Sequence, residues 1–238
     1  MSIWQIRTRA RVRRDLQHAG VLGAEPESVF AAVYRHNLWG NPESRSGWGS
    51  TLTGANGTEA IRTGIEEIIK QLEVSSIVDV PCGDLNWLRS VDLGDAEYLG
   101  VDVVPDLIEH NRETYGTDRM RFACEDLTVW VPPAVDLVIV RDLLIHLTNE
   151  QALAALANVV ASGARLLLVS NYAKVRRNAD TFTGGLRLHN LLREPFTRFE
   201  FAAAVRRRLP DGDGNQGRQM LLCDIATLAA GSSRRLHT

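Results

Sequence analysis

Short apolar runs separated by longer helical stretches constrain this chain more than any other feature. "VDLVIV" (Val135–Val140) and "RLLLVS" (Arg165–Ser170) are apolar at successive positions, not alternate ones. A strand of that kind has no face to give to water and must be covered on both sides. With Ile77–Val80, Tyr98–Val101 and Met120–Ala123 they predict a set of parallel strands. Leu107–Tyr115 and Glu150–Ser162 repeat at helical spacing and supply part of the cover. The tail breaks the pattern. There "FAAAVRRRL" and "QMLLCDIATL" flank the turn-rich "PDGDGNQG", which predicts an antiparallel hairpin at the sheet edge.

The expected fold is α/β: a Rossmann-like doubly wound sheet, mostly parallel, with an antiparallel C-terminal hairpin and an N-terminal helical cap. In the cap, "ESVFAAVYRHNLWG" reads as a helix from Val29, Phe30, Val33 and Tyr34, stopped by Gly40. "TEAIRTGIEEIIKQL" reads as a second, with Thr58 as N-cap and Ile61, Ile65, Ile68, Ile69 and Leu72 on one face. Between them "NPESRSGWGSTLTGANGTEA" is almost free of aliphatic residues, and so long a loop in a compact domain commonly serves as a lid. The simplest division is 1–74, helices and covering loop, and 75–238, the sheet domain, with an inserted loop at about 171–196.

Composition removes several classes of function. With a formal charge of −2 over 238 residues, the chain lacks the basic excess of a general nucleic-acid or membrane binder. Its three cysteines, Cys82, Cys124 and Cys223, are scattered and form no CxxC pair, which argues against disulfides and structural zinc. No apolar stretch reaches membrane-spanning length, and the basic N-terminus is not followed by an apolar signal core, so a cytoplasmic protein is expected. The arginines of "QIRTRARVRRD" (Arg7, Arg9, Arg11, Arg13, Arg14) have no interleaved aromatics for base stacking. They read as a solvated helix face and a candidate homodimer contact.

Chemistry concentrates at the strand tips. In "SIVDVPCGDLNWL" (Ser76–Leu88), Asp79, Cys82, Gly83 and Asp84 sit in a turn after a buried strand, where Gly83 permits close backbone approach to a ligand. Pro81 occupies the first glycine position of the dinucleotide pattern, so that motif is not met. Asp102, in "YLGVDVVPDL", ends the second strand, where a carboxylate accepts both hydroxyls of a ribose. This pairing fits NAD and S-adenosylmethionine equally. Asp126, in "FACEDLT", is placed to accept from an exocyclic amine. In "VDLVIVRDLLIHL", Arg141 and Asp142 end the fourth strand and His146 follows four residues on, so a helical turn would put carboxylate and imidazole on one face.

The ordered set "VDVPCGD", "YLGVDVV", "CEDL" and "VDLVIVRDLLIHL" resembles the class I S-adenosylmethionine-dependent methyltransferases from residue 75 to about 172, and the terminal hairpin extends the likeness to about 228. The resemblance implies S-adenosylmethionine as cofactor, with Asp79, Cys82, Gly83 and Asp84 near its methionine part. It implies that Asp102 holds the ribose and that Asp126 lies near the adenine, with Val103, Leu127 and Arg141 as further cofactor contacts. Pro81 and Leu85 stand where the family often has glycines.

Two outer segments, "YRHNLWGNPESRSGWGS" (Tyr34–Ser50) and "TFTGGLRLHNLLREPF" (Thr181–Phe196), resemble a smaller group that methylates sugar hydroxyls in bacterial glycans. That likeness implies a carbohydrate acceptor, with Trp39, Ser44, Arg45, Ser46 and Gly47 folding over the cofactor. Glu43, Asn171, Arg187 and Asn190 become candidate acceptor contacts. A sugar hydroxyl must lose its proton as the new bond forms, which suits His146 as general base oriented by Asp142. Magnesium held by Glu43, Asp126 and Asp142 is the competing way to acidify the hydroxyl. "RDLLIHL" lacks the Asn/Asp-Pro-Pro-aromatic stretch of nucleobase amino-methyltransferases. Ribose methylation of RNA, a small-molecule acceptor and a nicotinamide-dependent dehydrogenase are the alternatives.

Overall fold

A computed structural model describes residues 3–52, 57–212 and 215–234; residues 53–56 of the expected lid and 213–214 of the hairpin turn lie outside them. Its sheet contains seven strands: β1 (Ser76–Asp79), β2 (Glu97–Asp102), β3 (Met120–Cys124), β4 (Leu137–Val140), β5 (Leu166–Tyr172), β6 (Val205–Pro210) and β7 (Arg218–Asp224). They lie in the order β3-β2-β1-β4-β5-β7-β6. β1 to β5 are mutually parallel, while β7 runs antiparallel to both β5 and β6. The hairpin and the doubly wound order are thus as expected.

All four residues of β4 and all seven of β5 are buried; the apolar runs Leu137–Val140 and Leu166–Val169 demand this, and the polar Ser170 and Asn171 are buried with them. The helices are α1 (Ile3–His18), α2 (Pro26–Arg35), α3 (Glu59–Gln71), α4 (Pro105–Tyr115), α5 (Asn149–Ala161), the single turn α6 (Phe201–Ala204) and α7 (Ile225–Arg234). Ile61, Ile65 and Ile68 of α3 pack with Ile77, Leu137 and Leu166 on one face of the sheet. Ala152, Leu156 and Val159 of α5, with Ile225 and Leu228 of α7, pack on the other. Helix α3, which falls within 1–74, therefore shares the core of the sheet. α1 and α2 form their own small core from Val12, Leu16, Val29 and Val33, with Phe182 and Trp39 packed against it.

Two local expectations fail. Thr58 precedes α3 but makes no side-chain cap; its hydroxyl is buried without a partner. α5 instead carries the full capping box, Thr148 with Gln151. The other concerns "RDLLIHL". Asp142 adopts a left-handed conformation (φ 57°), and only Leu144–His146 turn as a 3-10 segment, so no α-helix joins Asp142 to His146.

Between β1 and β4 the chain order reverses direction. The carboxyl ends of β1, β2 and β4 (Asp79, Asp102 and Val140) open there onto a crevice roofed by the segment after α2.

Candidate active site

The crevice begins at the turn after β1. Gly83 is in the left-handed region (φ 56°), and a Cβ on it would overlap the Ser46 hydroxyl and lie 3.1 Å from the Tyr34 phenol oxygen. Its N–H donates to Asp102 Oδ2 at 3.2 Å, and Val104 N–H donates to Asp102 Oδ1 at 3.2 Å. Each carboxylate oxygen keeps lone-pair capacity toward the cleft. Burial pushes the Asp102 carboxyl up to about 6, against the pull of these backbone donors. Asp102 and Val103 line both the main cleft and a narrower apolar one that runs on past Pro81 to Asp126, Leu127 and Leu143. In this second cleft Asp126 already accepts the Thr128 N–H at 2.8 Å.

The main cleft has a cavity volume of only about 60 Å³, well short of the ~300–1,000 Å³ of small-ligand sites. The segment after α2 closes it down. Asp84 does the stapling: its carboxylate accepts from Ser44 Oγ (2.9 Å), Ser46 Oγ (2.9 Å) and Arg45 N–H (3.1 Å). Tyr34 hydroxyl is bonded to Ser46 Oγ as well. Glu43 and Asn86 tie down the far side, where Asn86 Nδ2 donates to Glu43 Oε1 and Ser50 O, both at 2.9 Å. Asp84 is therefore engaged by the lid, and it lines a separate cleft with Glu43, Ser44 and Arg45, not the main one. Gly47 lies against Trp39, and Ser46, Ser50 and Trp39 line the cleft.

At the tip of β4 a chain of alternating charges is buried. Arg141 donates to Asp211 (Nη2–Oδ1 2.7 Å), Arg218 Nε donates to Asp211 at 3.1 Å, and Arg218 Nη2 donates to Asp142 Oδ2 at 2.6 Å. Asp142 Oδ1 accepts from Tyr172 hydroxyl (3.0 Å) and Ser170 Oγ (3.2 Å). Burial alone would raise the Asp142 carboxyl, but Arg218, Arg141, nearby His146 and the Tyr172 hydrogen bond hold it below the usual range. Arg141 also stacks over Trp87 (4.6 Å), so its guanidinium is engaged on its face and its edge while still lining the cleft.

His146 has a different partner from the one expected. Its Nδ1 lies 2.6 Å from the carbonyl oxygen of Gly185. A carbonyl can only accept, so Nδ1 carries the proton and Nε2 keeps its lone pair. Burial lowers the imidazole pKa, only partly countered by the Gly185 carbonyl and the charge of Asp142. Asp142 acts on His146 through space and does not hydrogen-bond it. The loop that supplies Gly185 is the inserted one; Gly184 N–H donates to His146 O (2.8 Å) and Arg187 N–H to Ile145 O (2.8 Å).

Other candidates serve the scaffold. Asn190 Nδ2 donates to Val175 O (3.0 Å) and Ala173 O (3.2 Å), and its Oδ1 accepts from Leu192 N–H; it folds the inserted loop and is not an acceptor contact. Asn171 is buried and receives Leu191 N–H at 2.8 Å. Asp79 lies behind the cleft wall, bonded by the Tyr98 hydroxyl at 2.9 Å and pushed by burial up to about 7. Cys82 lines the cleft, its thiol facing Asn111. The three proposed magnesium ligands do not converge: Asp142 lines the main cleft, Asp126 the adjoining one and Glu43 a third. No cluster of His, Cys, Asp and Glu suited to a metal occurs among the described residues, so the magnesium expectation is corrected. Sequence reasoning missed Arg218, Asp211 and Tyr172, which lie 30 to 76 positions from Asp142, a separation no local motif signals.

Residues 77–163 match the family model described as "Methyltransferase domain". No curated protein matches the sequence. Among solved structures, human N-acetylserotonin methyltransferase in complex with SAM superposes with a TM-score of 0.59 at 13% identity, over 92% of this chain and 65% of that one. The N-methyltransferase NodS from Bradyrhizobium japonicum WM9, in complex with S-adenosyl-l-homocysteine, gives 0.54 at 16% identity, over 81% and 97%. TnmH gives 0.55 at 15%, over 89% and 60%. This chain thus spans under two thirds of the human enzyme and of TnmH. At such identities the likeness establishes the fold, and the fold is that of the methyltransferases. No helix among the described residues is long and apolar enough to cross a membrane.

Proposed function

We propose that this S-adenosylmethionine-dependent methyltransferase acts on a hydroxyl of a sugar or oligosaccharide, with His146 as general base. The 1-hydroxyl of a methylated mannoside is the acceptor suggested by the outer-segment likeness. The observation that carries the base assignment is the single engaged nitrogen of His146. Nδ1 is fixed on Gly185, and Nε2 has no hydrogen-bond partner among the described residues in a ring that lines the cleft. Asp142 is the poorer base, because Arg218, Tyr172 and Ser170 occupy its oxygens and hold it ionised.

The residues fit the cofactor. A glycine turn lets Ser46 and Tyr34 of the cover close down on the backbone, and the buried Asp102 carboxylate one strand over is suited to a ribose diol, with Val103, Leu127 and Leu143 forming an apolar slot for a flat base. When bound, S-adenosylmethionine supplies an electrophilic methyl group on a sulfonium. Asp102 would anchor the sugar of the cofactor, Ser46 and Trp39 would cover it, and the closed lid would exclude water. His146 Nε2 would take the proton of the acceptor's hydroxyl, an effect typically worth ~10²–10⁴-fold.

Support for a carbohydrate comes from where the two outer segments meet. Trp39 from the first and Gly185 from the second both contact His146. A second reading, a flat small-molecule acceptor, is favoured by the aromatic walls Phe30, Tyr34, Trp39 and Trp87. An acceptor panel of mannosides, methylated mannosides, glucosides, phenols and RNA fragments, read by release of S-adenosylhomocysteine, separates the two. Turnover on a mannoside that His146→Gln reduces at least tenfold supports the proposal; turnover confined to phenols or RNA refutes the carbohydrate assignment.

A further inference from the structure

The imidazole of His146 lies on the indole of Trp39. Their ring centroids are 4.3 Å apart and their planes differ by 23°, a stacked pair. The indole is braced on its other sides. Phe30 and Tyr34 meet it edge-on at 6.3 and 6.5 Å, and Gly47 packs where a Cβ would sit 3.4 Å from Trp39 Cε3. The indole N–H is buried and makes no hydrogen bond. Packing alone therefore sets the plane of Trp39, and Trp39 together with Gly185 O sets the plane of His146.

We propose that Trp39 is a positioning residue of the base: its indole face fixes the tilt of the His146 ring and stabilises the positive charge that the ring acquires on taking the acceptor's proton. This rests on the reading of His146 as base. Before proton transfer the ring is neutral and the stack is an ordinary aromatic contact. Afterwards it is an imidazolium over an electron-rich face, in a cleft nearly closed to water, where a cation–π interaction is at its strongest. The gain exists only once charge has formed, and such a gain lowers the barrier without tightening substrate binding. A Trp at this position would otherwise read as simple cover for the cofactor.

The titratable groups facing His146 are few. Asp142 approaches from β4 and favours the imidazolium. His189, from the inserted loop, would oppose it if charged, but burial holds His189 down at about 4, so it is neutral near pH 7. Trp39 brings no charge of its own, so its effect on the ring is separable from theirs.

The test is an NMR titration of the histidine rings in the cofactor-free protein, with the His146 signal identified by its loss in His146→Gln. Trp39→Leu removes the aromatic face, and Trp39→Phe retains a weaker one. The His146 pKa is expected to fall by about 0.5–1 unit in Trp39→Leu and by a smaller amount in Trp39→Phe. The acid limb of the kcat–pH profile should move down in step, with a lower plateau at saturating S-adenosylmethionine. Water admitted by the smaller side chain acts in the opposite direction, since it relieves the desolvation that now depresses the pKa. An unchanged or raised His146 pKa in Trp39→Leu overturns the proposal, and if that variant does not fold, an unchanged value in Trp39→Phe does so. Wild-type turnover in His146→Gln would instead remove the base assignment, a distinct result that the ring titration does not produce.

Discussion

Replacing Arg218 by leucine tests the buried charge chain most directly. Arg218 links two acids: its Nη2 pairs with Asp142 Oδ2 at 2.6 Å and its Nε with Asp211 Oδ2 at 3.1 Å. Its side chain is 10% exposed, that of Asp142 19% and that of Asp211 0%. Asp211 would keep Arg141, but Asp142 would lose the one cation that pairs with it directly among the described residues. Removing one partner of a fully buried pair costs ~3–5 kcal/mol, and the partial exposure of Asp142 argues for the lower end, about 3 kcal/mol. At ~2–4 °C per kcal/mol for a domain of this size, the melting temperature should fall by about 6–12 °C at pH 7.5. The pH dependence supplies the sign. In the native protein the Asp142 pKa is depressed, so its stabilisation is present above the unfolded carboxylate value and is lost as pH falls through the folded one. Without Arg218, burial dominates and raises that pKa, so ionisation now penalises the fold and the penalty grows as pH rises. The deficit relative to wild type should therefore shrink between pH 7.5 and pH 5, as followed by circular dichroism melts. A melting temperature within about 2 °C of wild type at pH 7.5, or a deficit that widens on acidification, refutes the reasoning.

Asp102→Asn should weaken S-adenosylmethionine binding at least tenfold by calorimetry. In wild type, affinity should decline as pH falls through about 6, the value to which burial raises this carboxyl, and that decline should vanish in the variant; equal affinities refute the ribose assignment. Gly49→Ala should cost turnover more than stability. Gly49 has no positive φ, but its Cβ would overlap Asp142 Oδ2 and lie 2.9 Å from Arg218 Nη2, both pinned in an ion pair, so the lid must rise. A wild-type kcat in that variant would show that the lid's seat on Asp142 is dispensable.

How much was legible in the sequence depends on the range of the interaction that decides each residue. The strands β1 to β5 and the glycine turn follow from burial and backbone freedom over a few residues, so the pattern of apolar runs places them. Asp102 is legible for the same reason: it ends a strand beside the turn, and strand ends in a parallel sheet share one edge. The failures are long-range. Asp142 and His146 look like an i, i+4 pair, but Arg218, Tyr172 and Ser170 take the carboxylate, and the Asp142 backbone lies in the left-handed region. Asn190 looks like an anchor for a sugar hydroxyl, yet its amide is fully used in closing its own loop.

The acids of the site divide by what remains for them to accept. Asp84, Glu43 and Asp142 all receive hydrogen bonds within the protein, and each of the three braces or seats the same lid, at Ser44–Ser46, at Asn86 and at Gly49. Asp102 accepts the backbone N–H groups of Gly83 and Val104 at 3.2 Å, is helped by that of Val103, and faces the cleft. A carboxylate with spare capacity in a buried cleft is expensive, as its raised pKa records, and a ligand able to donate two hydroxyl protons relieves that cost. The lid's acids have no such deficit to be relieved by a ligand. On this argument cofactor affinity should respond to Asp102 directly, and to Asp84 only through the lid. Asp84→Asn, which keeps an acceptor for Ser44 and Ser46, should then alter the rates of cofactor entry and exit in stopped-flow fluorescence about equally. A loss of equilibrium affinity as large as that of Asp102→Asn would show that Asp84 reaches the cofactor itself.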